Sequence, residues 1–294
     1  MVAAQRPRRS VLYMPGSKSR ALEKARNLMA DALIFDLEDA VADDKKVEAR
    51  QMVVQALSQG GYGKREIIVR VNGLDSEWGL EDIKAISGTT ADAILLPKVE
   101  NEGQVHKLID LMKKSGAPES MSVMCMMETP LGMLNAKEIA ASSDRISCFV
   151  MGTSDLVKDL QAQHTPERLP VITSLGLCLL AARAYGIGIV DGVCLDLNDD
   201  DAFLEACNQG LALGFDGKTL IHPKTISAAN KAFGPSKEAV EKARSIVTAF
   251  EEAKKQGQGV VVLDGHLIEN LHADEARRLI AYAEAINALE QGTS

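Results

Sequence analysis

The sequence is missing the signatures that mark several enzyme classes. No HExxH segment occurs and the histidines lack zinc-ligand spacing, which excludes the common zinc hydrolase sites. There is no GxSxG elbow of a serine hydrolase. Gly217-Lys218-Thr219 imitates the end of a phosphate-binding P-loop, but the glycine that should open such a loop is Ala212, and the apolar Leu220-Ile221 opens no helix. The five cysteines (Cys125, Cys148, Cys178, Cys194 and Cys207) form no CxxC pair and mostly lie in apolar runs. They read as buried, reduced thiols. No apolar run reaches membrane-spanning length, and the basic residues among the first nine have no signal-peptide core behind them. A cytoplasmic location is the expectation. Positive charge is also in deficit: a net charge of -8 argues against nucleic acid as the main partner. No internal repeat or low-complexity segment stands out.

What is present is a rhythm. The 294 residues, 46% hydrophobic and 25% charged, suit a soluble globular protein large enough for one barrel of ordinary size. Strand-like runs at 10–14, 32–37, 66–71, 93–96, 123–127, 148–151, 187–193 and 215–220 alternate with helical patterns, clearest at 18–29, 44–57, 78–86 and 101–114. Continuous apolar strands with helical partners predict a parallel sheet covered on its outer face. Eight such units favour an α/β fold of the TIM (β/α)8 barrel type over an open sheet. The rhythm stops at Gly234-Pro235. A helix over 237–255, a hairpin of 260–263 and 266–268 around Asp264-Gly265, and a helix over 273–289 follow. Residues 1–234 therefore read as a catalytic barrel and 235–294 as a C-terminal helix–hairpin–helix lid or oligomerisation extension.

In such a barrel the chemistry is expected at the carboxyl ends of the strands. The polar residues there are Glu38 and Asp39, Arg70, Lys98, Glu128 and Asp155. Glu128 and Asp155 each stand where an apolar run gives way to Gly, Thr and Ser. Two carboxylates sharing one mouth repel unless a cation or proton lies between them, and a hard divalent ion such as Mg2+ is the simplest answer. Arg70 sits inside Ile67-Ile68-Val69-Arg70-Val71-Asn72, a place an arginine takes only with a paired anion. Its fork fits a substrate carboxylate, or a structural pair with Glu38 or Asp39. Asp36-Leu37-Glu38-Asp39 admits both catalytic and helix-capping roles.

Taken in order, Arg9-Ser10-Val11-Leu12-Tyr13-Met14-Pro15-Gly16, Phe35-Asp36-Leu37-Glu38-Asp39-Ala40-Val41, Arg70-Val71-Asn72-Gly73, Leu96-Pro97-Lys98, Glu128-Thr129-Pro130 and Ile221-His222-Pro223 resemble the citrate lyase β-subunit-like proteins. These include malyl-CoA lyases and belong to the HpcH/HpaI aldolase group. The resemblance spans nearly the whole chain and implies a TIM barrel acting on the CoA thioester of a hydroxy acid. It implies Glu128 and Asp155 as Mg2+ ligands (with Mn2+ as an alternative ion), Arg70 as the substrate arginine, and Glu38 and Asp39 as supporting acids. Val262-Leu263-Asp264-Gly265 resembles the family's lid, which makes Asp264 the acid/base delivered to an adjacent subunit of a homotrimer or homohexamer. Arg9, the Pro15-Gly16-Ser17-Lys18 loop, Pro130 and the His222-Pro223 turn resemble substrate- and CoA-contacting positions. One departure is Thr153, where many members carry an acid two residues before the second metal ligand; this leaves the substrate subtype open.

The leading expectation from this resemblance is a Mg2+-dependent lyase that makes or breaks a carbon–carbon bond in a β-hydroxyacyl-CoA such as malyl-CoA, with glyoxylate and acetyl-CoA as the other side of the reaction. The alternatives are a (S)-malyl-CoA thioesterase on the same scaffold, a citrate lyase β subunit acting on an acyl-carrier-protein thioester, and a non-catalytic binding or assembly subunit.

Overall fold

The computed structural model describes residues 6–292, and in it eight parallel strands close into a barrel in sequence order. They are β1 (Ser10–Pro15), β2 (Ala32–Asp36), β3 (Glu66–Arg70), β4 (Ala93–Leu96), β5 (Ser122–Met127), β6 (Ile146–Met151), β7 (Gly188–Asp191) and β8 (Gly217–Leu220), and β8 pairs back onto β1. Helices lie between the strands, so the fold is a TIM barrel.

Alternation explains why the strands read as unbroken apolar runs. Val11, Ile34, Ile68, Leu95, Met124, Met126, Val150 and Val190 form one buried cluster, filling the barrel. Leu12, Leu33, Phe35, Val69, Ile94, Phe149 and Ile189, one position out of phase, belong to the larger cluster between strands and helices. Both faces of each strand are thus covered, and polar residues stand mostly at the strand ends, the buried Lys218 and Thr219 of β8 excepted.

The helix Glu102–Lys114 shows how the outer ring is encoded. Asn101 and Gln104 close a reciprocal cap, Val105, Leu108, Ile109 and Met112 recur at helical spacing and are buried, and Lys113 and Lys114 lie in the last turn, where the helix dipole favours cations. The strand starts are tied by buried ion pairs. Arg8 donates to both Glu66 oxygens at 2.6 and 2.8 Å, and Arg9 to both Asp31 oxygens at 2.9 and 2.8 Å.

At the opposite ends of the strands, local turns set up the site. β2 ends one residue earlier than its apolar run because the Asp36 carboxylate accepts the N–H groups of Glu38 and Ala40, folding the chain into a turn. Gly16 donates its N–H to Asp36 O at 2.8 Å, and a Cβ there would stand 2.8 Å from that same oxygen, so only glycine fits.

The chain divides into two compact units, Arg8–Phe233 and one from Gly234 onward. The second holds the helix Lys237–Lys255, the antiparallel pair β9 (Val261–Leu263) and β10 (His266–Ile268), and the helix Asn270–Gln291. Its small core is Phe250, Ile268 and Ala273 with Ile246, Val261 and Leu263 packed against them. Asp264 and Gly265 both take positive φ, 50° and 78°, as a two-residue hairpin turn of primed type requires. The last helix starts three residues before its apolar pattern, because its first turn is occupied by the polar reciprocal cap of Glu269 and His272. Among the described residues no helix is long and apolar enough to cross a membrane. Cys125, Cys148, Cys178 and Cys207 are buried free thiols, and Cys194 is half-buried.

Candidate active site

Inward alternation carries Ile34 to Asp36 and Ile68 to Arg70, and register pairs Asp36 with Arg70 on neighbouring strands. Arg70 Nε and Nη2 donate to the two Asp36 oxygens at 2.7 and 2.6 Å. Its Nη1 stands 2.9 Å from Glu38 Oε2 and 3.1 Å from Asp39 Oδ2, and the guanidinium lies 5.0 Å from the centroid of the Tyr13 ring. Burial opposes the charged form, but the Asp36 hydrogen bonds, with charge from Tyr13, Asp36 and Glu38, hold Arg70 well above the ordinary arginine value. The structural partner of Arg70 is therefore chiefly Asp36, a residue outside the expected site, while the Nη1 edge is shared with Glu38 and Asp39.

β4 and β5 supply the other half. Lys98, after β4, takes a left-handed conformation (φ 49°). Its N–H donates to Glu128 Oε1 at 2.9 Å, while its Nζ lies 2.9 Å from Glu38 Oε1 and 3.4 Å from Asp155 Oδ2. Glu128 is 2% exposed; burial first, then the charge of Glu38, pushes its carboxyl up to about 7. Burial likewise raises Glu38, against the pull of Arg70. Thr129 caps the short helix Pro130–Leu134, with Pro130 at its first position, so the chain turns away directly after Glu128. After β6, Gly152 leaves open the space beside Glu128: a Cβ there would stand 2.5 Å from Glu128 Oε2. Asp155 follows in the first turn of the helix Thr153–Asp159, its side chain 30% exposed.

A cavity of about 330 Å³ is lined by Tyr13, Asp36, Asp39, Arg70, Glu128 and Asp155 among others, with Glu38 and Lys98 ion-paired to its walls. Carboxylates outnumber cations in it, and the buried Glu128 packs directly against the backbone of Gly152. Among the described residues, no group of three or more His, Cys, Asp and Glu side chains forms a closed cage. That donor set fits Mg2+, which binds through one or two carboxylates and completes its octahedron with water and substrate oxygens. It does not fit a zinc centre, which takes three or four protein ligands.

The structure brings together Glu38, Asp39, Arg70, Glu128 and Asp155. Pro15 ends β1 and Gly16 and Lys18 follow it at the same face of the barrel, Lys18 being exposed, and His222 and Pro223 follow β8, where His222 Nδ1 accepts the N–H of Lys224 at 3.1 Å. Arg9 is a correction. It precedes β1 at the strand starts, opposite the mouth, with its guanidinium buried against Asp31, and so cannot reach a ligand at the mouth. Asp264 belongs to the second unit, exposed in its hairpin turn, where its carbonyl bonds His266 Nδ1 at 2.9 Å. Reading the sequence noted Asp36 in its acidic cluster without naming it the partner of Arg70, gave Tyr13 no site role beyond its motif, and gave Lys98 no role. Inward parity would have found Tyr13; the left-handed backbone that aims Lys98 has no sequence signal, since non-glycine residues rarely adopt it.

With this geometry in place, the relatives become informative. Residues 9–223 match the profile of the HpcH/HpaI aldolase/citrate lyase family, and the chain belongs to that family. It is 52% identical over 282 residues to a (3S)-malyl-CoA thioesterase of Cereibacter sphaeroides (strain ATCC 17025 / ATH 2.4.3), covering 96% of each chain. It is 37% identical over 291 residues to the citrate lyase subunit beta of Escherichia coli K12, covering 97% of this chain and 96% of that one. Among solved structures, protein CitE from Mycobacterium tuberculosis in complex with magnesium, acetoacetate and coenzyme A matches with a TM-score of 0.75 at 28% identity, over 97% of this chain and 100% of that one.

Proposed function

We propose that this protein hydrolyses the CoA thioester of a short hydroxy diacid, with (3S)-malyl-CoA as the reference substrate. The observation that carries this reading is the 52% identity, across 96% of both chains, to a (3S)-malyl-CoA thioesterase, against 37% to the citrate lyase β subunit. It revises the order of the sequence-based expectations, which put carbon–carbon cleavage first.

The site residues take roles consistent with hydrolysis. Glu128 and Asp155 would hold Mg2+, which supplies Lewis-acid stabilisation of negative charge on substrate oxygens when bound. The Nη1 edge of Arg70 neutralises a substrate carboxylate or the developing oxyanion, while Asp36 fixes the guanidinium by its other two nitrogens. Glu38 and Asp39 hold water at the rim of the cavity. Lys98 positions Glu128 through its N–H and offsets the charge of Glu38 and Asp155 through its ammonium. Asp264 is the assigned acid/base, supplied by the C-terminal unit of a neighbouring copy in a homotrimer or homohexamer. It takes a proton from the water that attacks the thioester carbonyl; the carbon–sulfur bond then breaks and the CoA thiolate leaves. The Pro15–Lys18 loop, Pro130 and the His222-Pro223 turn are assigned to the CoA moiety.

A second reading, the Claisen-type lyase, is favoured by the family match itself. One assay separates the two: purified protein with (S)-malyl-CoA and Mg2+, with EDTA as control. Malate plus CoA supports the thioesterase; glyoxylate plus acetyl-CoA would replace it by the lyase.

A further inference from the structure

Behind the mouth, on the outer face of the barrel wall, lies a second cavity of about 400 Å³ between β7, β8 and the helices that cover them. It meets the catalytic cavity at Thr153, Val193 and Leu195, which border both. Its walls include Val157, Val171, Ala202 and Ala206. Such walls have no use for charge, yet a buried ionic cluster forms part of the lining. Outward alternation on β7 and β8 brings Asp191 and Lys218 together: Lys218 Nζ donates to Asp191 Oδ2 at 2.9 Å, and Arg168 Nη1 lies 2.7 Å from both Asp191 oxygens. Asp191 and Lys218 are essentially inaccessible, at 0% and 1% exposure. Two cations share one buried anion.

Arg168 Nε bonds Gln209 and Nη1 bonds Asp191, but its buried Nη2 has no hydrogen-bond partner. Thr165 Oγ1, on the same lining, is buried and without a partner as well. A buried guanidinium N–H left unpaired is costly and rare in native proteins. Arg168 also holds a left-handed backbone (φ 55°), a strain that accumulates where a side chain is held for use. Asp196 stands on the rim, but it is exposed and its Oδ1 already accepts the N–H of Asn198 at 2.8 Å.

We infer that this cavity is a carboxylate-binding site: a bound anion draws Arg168 Nη2 and Thr165 Oγ1, both closed to solvent in this structure, toward its oxygens, and the valine and alanine walls hold a short apolar body. The carboxylate is either that of a free acid or the distal end of a bound acyl group; both present the same chemistry. The site stands apart from the metal ligands, and the binding test below does not depend on the proposed hydrolysis.

The test is titration of the full-length protein with sodium butanoate in EDTA, by calorimetry and ligand-observed NMR. Binding to wild type and to Glu128→Gln, with at least a tenfold loss in Arg168→Gln and in Thr165→Val, is the expected result. Ala206→Leu, which fills the apolar end without touching the ionic cluster, should abolish binding while the circular dichroism and melting temperature of the fold persist. Butanamide, neutral and of the same shape, should not bind. No butanoate binding to wild type, or binding lost in Glu128→Gln and kept in Arg168→Gln, overturns the inference. A rise in KM for malyl-CoA in Arg168→Gln at constant kcat would assign the carboxylate to the substrate. An unchanged KM, with butanoate binding lost, would assign it to a free acid.

Discussion

Two clusters of charge stand on opposite sides of the same barrel wall, and they are unbalanced in opposite senses. Inside the mouth, among the described residues, Asp36, Glu38, Asp39, Glu128 and Asp155 face Arg70 and Lys98. Behind it, Arg168 and Lys218 share Asp191 alone. A fold that merely needed to tie its strand ends would match charges, as it does at the strand starts with Arg8–Glu66 and Arg9–Asp31. The contrast separates pairs that hold the barrel from clusters whose charge is left unmatched, negative inside and positive behind.

The comparison breaks most sharply at Asp191. Asp191→Asn leaves Lys218 and Arg168 buried without a counter-ion and should cost about 3–5 kcal/mol in chemical denaturation. Burial alone would raise the Asp191 carboxyl, but Lys218 and Arg168 pull it below the usual aspartate value. Its stabilisation is therefore complete above about pH 4, where the unfolded group also ionises, and is lost as pH falls through the lower folded value. The gap between wild type and variant should be full at pH 6 and should narrow in strong acid; a constant gap would contradict the assignment.

Removing an acid from the inner cluster should do the reverse to stability. Glu128→Gln should lower turnover by roughly a hundredfold or more and weaken Mg2+ binding in calorimetry. Yet in EDTA at pH 8 the variant should be the more stable protein by at least about 1 kcal/mol, because the folded carboxyl titrates near 7 and its charged form is disfavoured by burial. A raised folded value means that Glu128 costs nothing below its unfolded pKa and that stability falls as pH rises through about 7, so the advantage should vanish near pH 4.

Gly152→Ala tests the cradle rather than the charge. Its Cβ would meet both Cβ and Oε2 of the buried Glu128, so we expect Mg2+ affinity to fall roughly tenfold or more and the metal-free protein to lose about 1–3 kcal/mol in chemical denaturation. The smallest effect lies in the second unit. Gly265→Ala, at φ 78°, should destabilise the hairpin by about 1 kcal/mol, read by hydrogen exchange of β9 and β10, and leave the barrel amides unchanged.

How much of this was legible in the sequence follows from which interactions are local. The strand–helix rhythm and the hairpin turn depend on neighbours in the chain, and both were readable, from Val123-Met124-Cys125 to Asp264-Gly265. Parity made Arg70 conspicuous but did not say which acid it meets, because the register between β2 and β3 that selects Asp36 is a property of the closed sheet. Lys218 looked like part of a damaged nucleotide motif; only the pairing of β7 with β8 shows that it answers Asp191. Arg9 was misplaced because its motif lies beside the Pro15-Gly16 turn in sequence, whereas the length of β1 puts the two at opposite ends of the barrel.

Lys98 binds two properties of the mouth into one residue. Its left-handed backbone points amide and ammonium toward the same carboxylate cluster, the amide at Glu128 and the ammonium at Glu38 and Asp155. A rotation of that single peptide plane would release Glu128 and redirect the long side chain together. Position 98 is thus a shared axle: one backbone conformation sets both the orientation of one carboxylate and the place from which charge reaches two others.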